Sequence, residues 1–157
     1  MENRFFDIDN NIYLNGLYVV ALIGSEMNTY KMEVVNLKLY LLKNPNVFLN
    51  TCDNLRFTVD KSVFKQFQYS NLQADMNKYI LKVQVKGLLE TLNFLYSKGL
   101  VELNFERNKV KATEKCVKMY NIDVPEEIKY VAREINVLFE NVAIKDIKKV
   151  MFKEGDN

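Results

Sequence analysis

Between Leu81 and Thr113 the apolar period of this chain switches from that of a helix to that of a strand, with only a glycine between. The run LKVQVKGLLETLNFLYSKGL sets Val85, Leu88, Leu89, Leu92, Leu95 and Tyr96 at offsets of three and four, on one helix face. Lys86, Glu90, Asn93 and Ser97 take the opposite face. Gly99 follows at once, and a glycine just past a helix can adopt the left-handed conformation that ends it. In VELNFERNKVKAT the residues then alternate, Val101, Leu103 and Phe105 one way, Glu102, Asn104 and Glu106 the other. Arg107-Asn108 is expected to form a two-residue turn, since Asn tolerates positive φ. That turn would set Phe105 opposite Val110, Leu103 opposite Ala112 and Glu106 opposite Lys109. Apolar residues then meet apolar ones, and one opposite-charge pair adds a few tenths of a kcal/mol.

A helix running straight into a twisted hairpin is the second half of a winged helix-turn-helix. The expected fold class is therefore α+β, mostly helical: a winged helix-turn-helix with an inserted segment and C-terminal helices. At 157 residues the chain fits one domain with a substantial core. Its expected parts are N-terminal helices over 11–44, an insertion over 45–80, the helix and wing hairpin over 81–113, and C-terminal helices over 124–153.

Residues 1–10 offer Phe5, Phe6 and Ile8 as docking side chains. A first helix is expected from about Ile12 to Met27, with Leu14, Leu17, Tyr18, Ala21 and Leu22 inside. Asn28-Thr29 is read as the cap of a second helix, from about Tyr30 to Lys43. Met32, Val34, Val35, Leu37, Leu39, Leu41 and Leu42 cover more than half its circumference, which marks it as central to the core. Asn44-Pro45 stops it, because a residue before proline avoids the α region. Beyond, Val47 to Leu49 suggest a helical turn, and Leu55, Phe57 and Val59 alternate with polar residues as in a short strand. Val63, Phe64, Phe67 and Tyr69 add aromatics without a period. Ser70 is a candidate cap for a helix carrying Leu72, Met76, Tyr79 and Ile80, separate from the wing-preceding helix or merging with it.

After the hairpin, Asp123 with Pro125 and Glu126 reads as a helix start. Ile128, Val131, Ala132, Ile135, Leu138, Phe139 and Val142 then follow a heptad-like spacing. A last helix, about Ile144 to Phe152, carries Ile144, Ile147, Val150 and Met151 inside and Lys145, Lys148, Lys149 and Lys153 outside.

Composition narrows the chemistry. Histidine is absent, which removes Ser-His-Asp and Cys-His catalysis and His-ligated zinc. Cys52 and Cys116 lie far apart with no CxxC spacing and read as packing thiols in a reducing cytosol. The five glycines are isolated and no GKS or GKT occurs, so no phosphate-binding loop is present. Glu126 with Glu127, or Asp53 with Asp60, could pair carboxylates, but 20 scattered acidic residues make such adjacency ordinary. The chain is thus expected to be non-catalytic, with no cofactor and no metal. Neither a secretory signal nor a membrane-spanning run is apparent, so a cytoplasmic protein with no membrane partner is expected.

Net charge is only +2, yet Arg107, Lys109, Lys111, Lys115 and Lys118 cluster on and after the wing as candidate phosphate contacts. The helix ahead of the wing has no arginine, the commonest reader of guanine, so sequence-specific readout is poorly supported. Ile128, Val131, Ile135, Leu138 and Phe139, past the wing, are candidates for a partner interface or for internal packing. A homodimer through that helix would suit the alternative function, a DNA-binding transcriptional regulator.

The run Leu95-Tyr96-Ser97-Lys98-Gly99-Leu100-Val101, with Lys111-Ala112-Thr113-Glu114-Lys115, resembles winged-helix proteins in general, the Thr starting the next element. Cys116 stands where that pattern commonly has glycine. A wider resemblance covers roughly residues 12 to 142. It comprises a helix with Leu37 to Leu42 ending Leu42-Lys43-Asn44-Pro45, an insertion, Leu88, Leu92 and Leu95, the hairpin with Ala112-Thr113, and a helical tail. This looks like the small middle component of bacterial three-component systems built around an ABC or SMC-like ATPase, Lamassu antiphage and antiplasmid systems among them. The resemblance implies a winged-helix adaptor that sits on the ATPase and helps couple DNA sensing to an effector nuclease on another subunit. It transfers no catalytic residue.

Overall fold

The first and second helices form the centre of the molecule because each carries an unbroken run of buried residues. The computed structural model describes residues 11–61 and 74–152. Helix α1 (Ile12–Ile23) is capped by Asn11, whose side chain accepts the Tyr13 and Leu14 N–H groups. Val19 through Ile23 are all sealed from solvent, so α1 is buried well beyond the stripe expected for it. It ends at Ile23, four residues earlier than Met27, with Gly24 as its C-cap. A Cβ there would come within 2.5 Å of the Val20 carbonyl oxygen and 2.9 Å of Tyr120 Cβ.

Strand β1 (Thr29–Lys31) replaces the expected Asn28-Thr29 cap, and α2 (Met32–Lys43) follows it directly. Along α2, Val35 and Leu39 through Leu41 are buried, as the wide apolar arc implies. The Asn44-Pro45 stop holds: Asn44 donates back to the Tyr40 carbonyl, and Pro45 opens α3 (Pro45–Asn54). That helix buries Val47, Phe48, Thr51 and Cys52, so the expected single turn is ten residues long. No strand follows. Arg56 takes a positive φ of 57°, and the Phe57 N–H reaches the Cys52 carbonyl at 2.8 Å, closing the helix end. Leu55, Phe57 and Val59 lie half-buried against the core as coil.

Helix α4 (Ala74–Ser97) is continuous, so the helix ahead of the hairpin begins well before Leu81. Gly99 at φ +74° ends it as expected, with the Leu100 N–H bonded to the Leu95 carbonyl at 2.9 Å. Strands β2 (Val101–Asn104) and β3 (Lys109–Ala112) make the hairpin, and β1 joins the far edge of β3, giving the antiparallel order β1-β3-β2. The register differs from the expected one by two residues: Leu103 faces Val110, Val101 faces Ala112 and Glu102 faces Lys111. The loop is therefore Phe105 to Asn108, not Arg107-Asn108 alone. Asn104 Oδ1 accepts the Arg107 N–H at 3.1 Å, a side-chain bond that closes the longer turn. A slip of two preserves the faces, so Val101, Val110 and Ala112 still point inward. It does remove Phe105 from the strand, 54% exposed, and it dissolves the expected Glu106–Lys109 pairing. Asn108 has φ 52°, the conformation expected of it.

Thr113 caps α5 (Glu114–Asp123) through the Cys116 N–H. Asp123 ends this helix instead of starting the next. Pro125 is the N-cap of α6 (Glu126–Asn141), and α7 (Ile144–Phe152) closes the described chain, with Ile147 and Met151 inside. Helix α1 packs against α2, α4, α5 and α6, so the core is a helical cluster with the small sheet at one side. The readings on residues 1–10, on Val63, Phe64, Phe67, Tyr69, Ser70 and Leu72, on the side chains of Met76, Tyr79 and Ile80, and on Lys153 lie outside the described residues.

Candidate functional site

The sheet presents two chemically distinct faces. Tyr30, Val101, Leu103, Val110 and Ala112 turn inward to the core. Thr29, Lys31, Glu102, Asn104, Lys109 and Lys111 share the outer face, because alternate strand residues point the same way. The pairing sets Lys31 directly opposite Lys109 and Thr29 opposite Lys111. Two lysines opposed on one face repel each other, and that cost is retained here. Arg107 lies on the loop above, and with Lys109, Lys111, Asn104 and Thr29 it lines an open cleft of about 400 Å³. Of the expected phosphate contacts, the fold thus groups Arg107, Lys109 and Lys111, and adds Lys31 from β1. Lys31 is not legible in the sequence as part of this group, because its partner strand lies almost eighty residues on, with no local pattern to announce it.

Lys115 and Lys118 lie elsewhere, on α5. Lys115 Nζ donates to the Lys98 carbonyl at 2.6 Å, satisfying an end group of α4, while Thr113 Oγ1 donates to Gly99 and Leu100. Lys115 therefore ties α5 to the end of α4. Lys118 is exposed on α5.

On α4 the buried stripe is narrower than the sequence pattern. Leu81, Leu88, Thr91, Leu92 and Leu95 are inside, whereas Val85, Leu89 and Tyr96 are 43%, 38% and 60% exposed. These three follow one another at offsets of four and seven, so they form an apolar line along the outer side of α4. Tyr13 on α1 packs edge-on against half-buried Phe94, rings 5.3 Å apart.

The α6 face read as either a partner interface or internal packing is occupied within the chain. Val131, Ile135 and Leu138 are at most 1% exposed, packed with α1 and α2, and only Ile128 and Phe139 stay half-buried. The heptad-like spacing is thus the period of one side of a bundle core, which a coiled-coil seam also shows.

One polar group is held inside this packing. Lys38 on α2 is 6% exposed, its Nζ donating to Asn136 Oδ1 at 2.8 Å and lying 5.1 Å and 5.3 Å from the Tyr30 and Phe139 ring centres. Asn136 donates in turn to the Leu22 carbonyl at 3.0 Å. One ammonium therefore links α2, β1 and α6, and through Asn136 reaches α1. Burial lowers its pKa to about 8, with Glu140 opposing the shift. Sequence gave no sign of it, since a lysine in an apolar helix normally reads as solvated.

Burial pushes the Cys52 and Cys116 thiols up to about 12 and about 11, which suits packing groups rather than nucleophiles. Among the described residues no group of three or more His, Cys, Asp or Glu is placed to hold a metal ion, and no helix is long and apolar enough to cross a membrane. Set against known proteins, the chain matches no family model, and neither a curated protein nor a solved structure matches it significantly.

Proposed function

We propose that this chain is a non-catalytic winged-helix adaptor: an accessory subunit that docks, in the cytoplasm, on an SMC-like or ABC ATPase of a Lamassu-type defence complex. There it helps couple DNA sensing to a separate effector nuclease. The order α1-β1-α2, then α4 leading into β2 and β3, with sheet order β1-β3-β2, suits a winged helix with α3 inserted. In that arrangement α4 stands where a DNA-reading helix would.

The observation that carries the adaptor reading is what α4 displays. Val85, Leu89 and Tyr96 run along its outer side, and the helix contains no arginine. Apolar side chains in a line suit a protein surface, whereas reading base edges needs bidentate donors and acceptors. The resemblance through Leu37–Lys43, Asn44-Pro45 and Ala112-Thr113 supplies the class of partner. Affinity purification of the tagged chain from its native host tests this. An SMC-like ATPase encoded beside the gene is expected in the eluate, and a chain that elutes alone with no such neighbour overturns the reading.

A transcriptional regulator is the second reading, and the cationic outer face of the sheet favours it. Its homodimer would need a surface other than Val131, Ile135 and Leu138, which α1 and α2 already cover.

A further inference from the structure

Between α2, α4 and α7 the surface sinks into a socket of about 220 Å³, walled by Leu37, Leu81, Val85 and Phe152, with Asn36 as a polar lining residue. Asn36 is already engaged: Gln84 Nε2 donates to its side-chain oxygen at 2.8 Å and to its backbone oxygen at 2.9 Å. At the rim, Glu33 and Lys148 pair with each other. The socket therefore selects an apolar group.

Its size narrows the choice. Small-molecule sites run from about 300 Å³ upward. An apolar cavity of roughly 150 Å³ accepts a benzene ring. A space between those limits suits one bulky side chain. Val85 and, a turn later, Leu89 carry the apolar surface out of the socket along α4, so the side chain has a platform for the backbone that bears it.

The surrounding charge decides among occupants. Lys86 and Lys149 each stand one residue beyond a lining residue, Val85 and Lys148, and Lys145 lies a turn before Lys149. All three are exposed and make no ion pair among the described residues, against Glu90 and Asp146 on the same stretches. A second copy seated symmetrically would bring these lysines against themselves, which disfavours self-association. A segment with carboxylates complements them.

We propose that the α2–α4–α7 socket docks an acidic amphipathic helix of a partner protein. One bulky apolar side chain seats against Val85 and Phe152, and carboxylates a turn away meet Lys86, Lys145 and Lys149. This rests on the adaptor reading for its protein partner. The full chain is titrated, by fluorescence anisotropy, into labelled alanine-based helices of about four turns. One helix has a central Trp with Glu a turn to each side, a second has Lys for Glu, a third has Ala for Trp. Vesicles of phosphatidylglycerol and phosphatidylcholine form the other arm. The acidic Trp helix is expected to bind at least about tenfold tighter than either control. Val85→Glu should remove that advantage, while Val137→Glu, on the similarly exposed surface of α6, leaves it intact. Lys145→Glu with Lys149→Glu should turn the preference toward the basic helix. Equal binding of the three helices, indifference to Val85→Glu, or preference for the vesicles overturns the proposal. If the ATPase co-purifies equally with wild type and Val85→Glu, the socket falls and the adaptor stands. If the acidic helix binds selectively but no ATPase co-purifies, the ATPase adaptor falls and the socket stands.

Discussion

Lys38 carries a positive charge at 6% exposure, and its surroundings fix how stability should respond to pH. It faces Tyr30 from β1 and Asn136, Phe139 and Glu140 from α6, with Glu26 and Glu140 also acting on Tyr30. A base whose folded pKa is depressed, here from 10.5 to about 8, gives stability that is complete above the unfolded value and lost as pH falls through the folded one. Stability should therefore rise from neutrality as pH passes 8, by up to roughly 3 kcal/mol for the full shift. The thiols work the other way. Cys52 and Cys116 rise from 9.0 to about 12 and about 11, so above 9 the unfolded chain sheds protons that the folded chain keeps, and stability falls. Two falling contributions against one rising one place the maximum at about pH 9. Urea denaturation from pH 7 to 10.5 measures it. Lys38→Met should flatten the rise between 7 and 9, and Cys52→Ala with Cys116→Ala should move the maximum toward 10, where Tyr40, raised to about 12, takes over. A monotonic fall from pH 7 would mean that the Lys38 ammonium is not desolvated as the packing indicates.

At the scale of elements, Gly99 and α6 make separable predictions. A Cβ on Gly99 meets nothing closer than 3.9 Å, so the cost of Gly99→Ala is conformational, about 1–2 kcal/mol for a left-handed alanine. Gly99→Asn should recover part of it, a ranking that thermal melts would resolve. Ile135→Ala removes a fully buried side chain where α6 lies on α1 and α2, and should cost about 2–5 kcal/mol. Sedimentation should show no accompanying change in association state, because that face is internal. These elements also mark what the sequence made legible. The α4 stop, the inward faces of the hairpin, the Asn44-Pro45 break and the apolar residues of α6 and α7 were readable, since each follows from a local period or a backbone preference. Strand β1 was not: three residues make a strand only because β3 lies beside them. The stretch from Leu55 to Val59 has a strand's alternation but no partner strand among the described residues, and Arg56 instead closes α3. The register differs by two from the one a two-residue turn implies, because the Asn104 side chain supplies a turn-closing acceptor that has no signature in the apolar alternation. The grouping of Lys31 with Lys109 and Lys111, and the α2–α4–α7 socket, depend on tertiary contacts that no window of sequence contains.

For the whole molecule, the opposed charges on the outer sheet separate the two functional readings. Lys31, Arg107, Lys109 and Lys111 stand against Glu102 and Glu106 on and around that face. If about three phosphates are neutralised there, the logarithm of the binding constant should fall with a slope near −2.7 in log salt. Between 50 and 200 mM salt that is about a fortyfold loss. Converting Lys31, Lys109 and Lys111 to glutamine should reduce the slope to roughly −1, leaving Arg107 as the remaining contact. An adaptor that touches DNA only through such a face should bind unrelated duplexes within about tenfold of one another, because phosphate contacts carry no base information. A regulator should prefer one duplex by about a thousandfold or more. Val85 and Leu89 along α4 offer no polar atoms to base edges and the helix has no arginine to read guanine, so the first outcome is expected. Anisotropy titrations of several random duplexes at stepped salt, with the wild type and the triple variant, measure both slope and preference. A thousandfold preference that survives the triple substitution would place base readout on α4, and the adaptor reading would give way to the regulator.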